Sequence, residues 1–495
     1  MHNAVQNLQA ITEWAESQSD DAVRVTSATL EAMVHILSGT SESVEQANHA
    51  IATARSLQFQ PNIKESIPQV WALLDFVDLA CSLVESNPNE AKSKLAVMQK
   101  LLDELWETAA WPEDGTLYIP LGQNHDRKLT DSTNGVFERE GNGSDKLSLQ
   151  WLSKRDLYAV GYAISAIATL LRGSNDSKAH EYLIEGLKLM KADFKASSLD
   201  KPDVNPSSSS LASATARFAW RQKMEWNLRL QLGFVYCCQL RWDAASRTIE
   251  QLKSGLVKLE SSNSDDLQRW IKYLEATIAQ GTGDLDKALA IYQTPLLELP
   301  DLAPNRLPTV QHDLAILAAL NQLLIIFPQS HPQHFRASAI LASLEPLALH
   351  HHHKAIVSAI WFIKTLVDDE ASATIMGRKQ VLQHALLAAR SMSNQQLLVQ
   401  CMALMNNLFF RNIVGDQASK SLKTGWVLAK RNEGRSSQND GESSGGGLWT
   451  AVAGSMYADL LERQSALKEA EQLRKDTDAI MDRLPEKVRA LFIEE

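Results

Sequence analysis

The sequence feature that most resembles a metal-binding motif is a run of four consecutive histidines, His350 to His353, with His331 and His334 upstream. Neighbouring side chains on a helix point about 100° apart. Four consecutive imidazoles therefore cannot converge on one tetrahedral ion. The run is predicted to be a polar turn between helices that binds no structural metal.

Catalytic motifs are missing from the sequence. It holds no GxGxxG, Walker A, GxSxG or HExxH pattern and no paired-cysteine zinc spacing, which predicts a protein that is not an enzyme and uses no cofactor. The four cysteines, Cys81, Cys237, Cys238 and Cys401, all lie in apolar helical patterns. They are expected to pack as small hydrophobic side chains.

Charge and hydrophobicity argue against two further classes of function, nucleic-acid binding and membrane insertion. The chain of 495 residues has 49 Lys and Arg against 59 Asp and Glu, a net charge of −10. A protein that binds nucleic acid needs a basic surface to contact the phosphates, so little direct DNA binding is predicted. The most apolar stretch, Leu314 to Phe327, is too short for a membrane span and contains Asn321 and Gln322.

Apolar residues recur at three- and four-residue spacing along almost the whole chain, which predicts an all-α protein. Small or compact residues recur twelve positions apart in three places: Gly233 and Ala245, Ala276 and Ala288, Asn406 and Ala418. Tetratricopeptide-like helix pairs need small residues where their helices cross closely. The predicted architecture is a tetratricopeptide-like, right-handed helical-repeat superhelix, an α-solenoid of about ten helix pairs.

Segments rich in turn formers divide this array. The predicted order is N-terminal repeats over 1–111, a loop insertion over 112–148, one repeat over 149–193, a Ser/Pro linker over 194–212, and C-terminal repeats over 213–495 with a mobile Gly/Ser loop at 433–447. The insertion is expected to include a short hairpin near Thr116 to Leu121. The Ser-rich loops offer phosphoacceptors, but a solvated linker is the simpler interpretation.

Candidate partner-binding residues follow from repeat geometry, since first helices line the concave face of such an array. This places Trp270, Tyr273 and Thr277 on that face in one unit. In another unit it places Gln400, Asn407 and Arg411 there. Such a mixture suits an extended peptide, because apolar pockets hold its side chains while amides and Arg satisfy its backbone and acidic groups.

Two blocks of the chain, residues 147–190 and residues 385–480, resemble the Mau-type cohesin loading factor, and the resemblance covers most of the chain from about Trp71 onward. That family is the tetratricopeptide subunit of the cohesin loader, whose partner is the HEAT-repeat adherin of Nipped-B type. The resemblance implies a repeat array that wraps an extended N-terminal segment of the adherin. It also implies a nuclear, chromatin-associated protein that supports sister chromatid cohesion.

The start of the chain departs from the family, whose members carry more helix pairs before the region resembling Met1 to Ser56. The chain is therefore expected to be N-terminally shortened. An alternative function stays open at this point: a helical-repeat scaffold in another assembly, such as a ubiquitin ligase or the proteasome lid. An enzyme with a degenerate site in the insertion is a third.

Overall fold

The structure is a computed structural model of the chain. It describes residues 2–38, 41–57, 63–107, 111, 115–121, 137–139, 145–171, 177–196, 211–256, 265–299, 310–351, 353–367, 374–411, 413–433, 447–484, 486 and 489. Most of the predicted linker at 194–212 and of the Gly/Ser loop at 433–447 lies outside these residues. None of the helices in the described part of the chain is both long and apolar enough to cross a membrane.

Helices dominate the described residues, which confirms the prediction of an all-α protein with paired helices. Their bounds in the first part of the chain are α1 His2–Ser17, α2 Asp21–Ser38, α3 Ser41–Ser56, α4 Ile63–Ser66, α5 Pro68–Val84, α6 Pro88–Glu107, α7 Lys154–Leu170, α8 Ser177–Ala196 and α9 Leu211–Cys238. Those that follow are α10 Trp242–Leu256, α11 Asp265–Gly281, α12 Leu285–Tyr292, α13 Val310–Ile326, α14 Ala337–His350, α15 Lys354–Leu366, α16 Ile375–Ser391, α17 Gln395–Met405, α18 Asp416–Glu433, α19 Leu448–Arg463 and α20 Leu467–Met481.

One kind of tight turn recurs between paired helices. Six helices, α1, α5, α9, α11, α16 and α19, are each followed two residues later by a residue with positive φ. In that order these residues are Ser19, Ser86, Leu240, Gly283, Ser393 and Ser465. The next backbone N–H then returns to the preceding helix, as Asp284 N does to Ala279 O at 2.9 Å. The Asp284 side chain in turn accepts from Lys287 N and caps α12. This Schellman-type closure satisfies helix-end carbonyls and reverses the chain within a few residues.

The chain divides into two compact units, residues 1–168 with 185–221 and residues 169–184 with 222–495. In the first unit, helices α1 to α3 and α5 pack side by side. The core shared by α2, α3 and α5 holds buried residues such as Ala28, Ala47, Leu74 and Val77. Burial of these apolar faces is the main stabilising term for helices that would be marginal in isolation.

A three-stranded antiparallel sheet packs on that core, with strands β1 Thr116–Pro120, β2 Phe137–Arg139 and β3 Asp145–Gln150 in the order β1-β3-β2. The sequence predicted a hairpin near Thr116 to Leu121, but that segment is a single strand whose partner is β3, with Leu117 opposite Leu149. Leu117 and Ile119 alternate into the interior. Gly115 opens β1 at φ +79, where an added Cβ would lie 2.4 Å from the Leu152 carbonyl.

In the second unit the predicted crossing residues are buried. Ala245, Ala276 and Ala288 have no exposed surface and Ala418 is 1% exposed. A Cβ added at Gly233 would lie 2.6 Å from Leu274 Cδ2 on α11. Small side chains are thus required where these helices approach one another, as the repeat interpretation expected.

Candidate functional site

The residues predicted on α11 belong to an aromatic cluster. Trp270, Tyr273 and Thr277 are spaced three and four positions apart and so share one helix face. Trp270 contacts the Phe234 ring edge-on, with centroids 5.9 Å apart, and Tyr273 lies 6.0 Å from the same ring. Trp270 is still 37% exposed, so it offers a rigid apolar surface held in place by its neighbours.

Tyr273 and Thr277 are committed to contacts inside the protein. The Tyr273 hydroxyl accepts a hydrogen bond from Asn321 Nδ2 at 2.9 Å, and Thr277 Oγ1 donates to the Tyr273 carbonyl at 2.9 Å. Burial raises the pKa of Tyr273 to about 12, so its phenol stays protonated at neutral pH. Of the three predicted residues on α11, Trp270 is therefore the one best placed to meet a partner.

The second predicted group straddles an irregularity in the helix. Gln400 lies in α17 and is half-buried, while Asn407 lies in a π-helical turn, Asn406–Phe410, that continues α17. Arg411 follows that turn; it is exposed, and its carbonyl accepts a hydrogen bond from Arg463 Nη1. The α-helical spacing that aligned the three residues holds only as far as Met405, because a π turn bonds i to i+5.

The histidine run forms the connection between α14 and α15. His351 is buried, with Nε2 3.0 Å from Asp313 Oδ1, and its Nδ1 accepts the backbone N–H of His353 at 3.0 Å. Since Nδ1 accepts, Nε2 is the ring nitrogen that donates to Asp313. His352 lies outside the described residues. Within the described part of the chain no three His, Cys, Asp or Glu residues are grouped to hold a metal, and the absence of a structural metal stays a prediction.

Three of the four cysteines pack as predicted, and one does not. Cys81, Cys237 and Cys401 are buried free thiols, whereas Cys238 is exposed. The expectation was wrong for Cys238 because its apolar-looking neighbourhood belongs to the last turn of α9, just before the helix ends. Burial raises the pKa of Cys81 and of Cys401 to about 12, which leaves these thiols protonated and unreactive.

Sequence reasoning missed a pocket on α16, α17, the π turn and α18. Its volume is about 500 Å³, and Leu382, Met402 and Phe409 are among the residues that line it. This is called the α16–α18 pocket here. The apolar spacing of Leu382 and Leu386 on α16 was visible in the sequence. The π turn that places Phe409 had no such signal.

The family model described as cohesin loading factor matches residues 1–468. The chain belongs to the cohesin loading factor family. This membership confirms the predicted function in cohesin loading and the predicted non-enzymatic character of the protein.

Solved structures agree on the fold. The chain resembles Scc4 in a crystal structure described as Scc4 in complex with Scc2n, at 10% identity and a TM-score of 0.50, covering 97% of this chain and 78% of that one. It also resembles the apo form of RapI, at 9% identity and a TM-score of 0.37, covering 92% of this chain and 98% of that one. The first likeness supports the fold alone, and the second is too weak to support an argument. No curated protein matches the chain in sequence.

Proposed function

We propose that this cohesin loading factor acts in the nucleus as the adaptor subunit of a cohesin loader and binds the extended N-terminal segment, or arm, of an adherin-type partner. Family membership over residues 1–468 carries the proposal. The likeness in fold to Scc4, crystallised with Scc2n, supports a helical array as the element that holds such an arm. The chain contributes binding and positioning rather than chemistry.

The candidate contacts are the six residues predicted from the repeats. Trp270 is the strongest of these, because its ring is partly exposed and is braced by Phe234 and Tyr273. Partly exposed Trp and Arg side chains are the residue types that most often dominate binding energy. Arg411 and Asn407 are exposed and suit acidic and backbone groups of an extended chain. Tyr273 and Thr277 hold the α11 contact in position, and half-buried Gln400 is the remaining candidate contact on α17.

Chromatin contact is assigned to the partners. A chain with ten more acidic than basic residues has no surplus of cations to neutralise a track of phosphates. Its own affinity for duplex DNA is therefore expected to be weak at physiological salt. Loading then depends on the adherin and cohesin that the chain helps to assemble.

The test is affinity capture of the tagged full-length chain from nuclear extract, followed by quantitative mass spectrometry. The wild-type chain is expected to recover an adherin and cohesin subunits. The variants Trp270→Ala and Arg411→Ala are each expected to reduce adherin recovery in proportion to a loss of affinity of roughly thirtyfold or less.

Matched controls come from the same unit. Phe335 is 79% exposed and Arg247 is exposed, and both lie outside the candidate set, so Phe335→Ala and Arg247→Ala should recover adherin as the wild type does. Recovery of ubiquitin-ligase or proteasome-lid subunits without an adherin would refute the proposal. Equal adherin recovery by all four variants would refute the assigned contacts.

A further inference from the structure

The α16–α18 pocket has an apolar interior formed by three successive elements. Leu382 and Leu386 come from α16, Met402 and Met405 from α17, and the π turn adds Phe409 and Phe410. Its volume of about 500 Å³ lies within the range of roughly 300 to 1,000 Å³ that is usual for ligand sites. Methionines make such a surface adaptable to differently shaped apolar side chains.

The rim of the pocket is basic. Lys379 and Arg390 come from α16 and Lys420 from α18, and all three are exposed. The lining includes no Asp or Glu, and none of these three cations is within 4.0 Å of a carboxylate of the described residues. In a chain of net charge −10, this local excess of positive charge around an apolar floor favours a ligand that is apolar at its centre and acidic at its edges.

The π turn supplies two aromatic residues of the pocket lining, Phe409 and Phe410. Asn406 begins the turn, and its Nδ2 donates to the Met402 carbonyl at 2.8 Å and to Ser421 Oγ on α18 at 3.2 Å. The turn projects Phe409 beneath Lys379, whose Nζ lies 5.5 Å from the ring centroid. Such π turns recur at functional sites because they displace side chains from regular helical packing.

Within α17, Met402 and Met405 of the pocket lie on a different face from Gln400, the residue of that helix in the candidate set for the adherin arm. At about 100° per residue, Met402 lies about 200° and Met405 about 140° around the helix from Gln400. A ligand seated in the pocket therefore does not compete with an arm bound at Gln400. The charged residues that line the pocket are all exposed, which suits an anchor side chain on a longer chain better than a free small molecule.

We propose that the α16–α18 pocket is a second docking site, for a peptide segment in which one bulky apolar residue is flanked on both sides by Asp or Glu. The apolar side chain enters between Leu386, Met402 and Phe409. The flanking carboxylates accept hydrogen bonds from Lys379, Arg390 and Lys420. The site would let the loader engage a second protein while the adherin arm stays bound.

The test titrates the full-length chain against a fluorescent peptide with a central Trp between pairs of Asp residues, followed by fluorescence anisotropy. Binding with a Kd on the order of 10 μM is expected, weaker at roughly 0.3 M salt than at roughly 0.05 M because the flanking charges are exposed. Replacing the peptide Trp by Ala should weaken binding by about thirtyfold. No saturable binding, or equal binding of the Ala peptide, would overturn the proposal.

Charge reversal locates the site. The double variant Lys379→Glu with Lys420→Glu should weaken binding by about tenfold at low salt, and a peptide with Lys in place of Asp should regain it. Lys287→Glu with Lys468→Glu makes the same change in net charge at exposed positions on α12 and α20 and should leave binding unchanged. An equal loss in both double variants would mean a non-specific charge effect and contradict the assignment.

Filling the pocket gives an independent check that removes no core residue. Gln383 is exposed on α16 and lines the pocket, whereas Gln380 is exposed on the same helix outside it. Gln383→Trp should abolish peptide binding and Gln380→Trp should not. Both should retain wild-type affinity for the adherin arm. Loss of arm binding in Gln383→Trp would make the pocket part of the arm's groove, and self-association abolished by that variant would assign it to a second copy; either result overturns the proposal.

Discussion

Replacing Gly281 by Ala should loosen the junction between α10 and α11. Gly281 ends α11, and a Cβ built on it would lie 2.1, 2.5 and 2.7 Å from Cη2, Cζ2 and Cζ3 of Trp242. Optimal carbon–carbon contact is about 3.5 to 4.0 Å. Trp242 begins α10 and packs against the core shared by α9, α10 and α11, so its rigid ring must move away from that core.

The magnitude follows from two opposing effects. Overpacking of this kind costs about 1 to 3 kcal/mol, while removing a glycine from a helix gains about 0.5 to 1 kcal/mol at most. Because the closest approach is 2.1 Å to a rigid ring, the overpacking lies in the upper half of that range, and the net effect is a loss of about 1 to 2 kcal/mol at this junction. That corresponds to roughly five- to thirtyfold faster hydrogen exchange wherever local opening exposes the amides of α10 and α11.

Hydrogen–deuterium exchange read by mass spectrometry measures this locally, at the amides of α10 and α11, where the effect of a change at one repeat junction is largest. The matched control is Gly425→Ala within α18, where the added Cβ meets Met402 only at 3.7 Å; it should stabilise its helix by about 0.5 to 1 kcal/mol. Trp242→Phe removes the clashing ring atoms and should cancel the effect of Gly281→Ala. Unchanged exchange in α10 and α11, or no relief by Trp242→Phe, would refute the reasoning.

Three further predictions concern other parts of the second unit. Ala288→Trp should overpack the crossing of α11 and α12, where Ala288 has no exposed surface, and should lower the Tm. The control is Ser246→Trp on the exposed surface of α10, which should leave the Tm unchanged. Burial lowers the pKa of His353 below its ordinary 6.5, while Asp313 opposes this shift and His351 adds to it. Below pH 6.5 the unfolded chain therefore binds a proton at this residue more readily than the folded chain does. The free energy of unfolding falls as the pH drops. His353→Gln should flatten the Tm profile between about pH 7.5 and 5.5, and an unchanged slope would count against this origin. Chelation should leave the Tm unchanged, whereas stoichiometric zinc in protein purified without a His-affinity step would contradict the predicted absence of metal at the histidine turn.

The helix pairs could be predicted from local sequence patterns, whereas contacts between residues distant in sequence could not. The burial of Ala245, Ala276 and Ala288 followed from their recurrence at one spacing, since a close crossing accepts only small side chains. The pairing of β1 with β3 depends on residues some thirty positions apart, and no periodic signal connects them. The π turn at Asn406–Phe410 has no sequence signature either. Two residues that line the α16–α18 pocket, Phe409 and Phe410, lie in that turn, so the pocket could not be predicted with the helices.

The most direct test of the adaptor account is a pair of titrations of the purified chain at roughly 0.15 M salt. One uses the fluorescently labelled N-terminal arm of the adherin, and the other uses labelled duplex DNA. The account predicts saturable binding of the arm and only weak association with DNA, because a chain of net charge −10 cannot supply a continuous basic track. Submicromolar binding of duplex DNA with no affinity for the arm would contradict it.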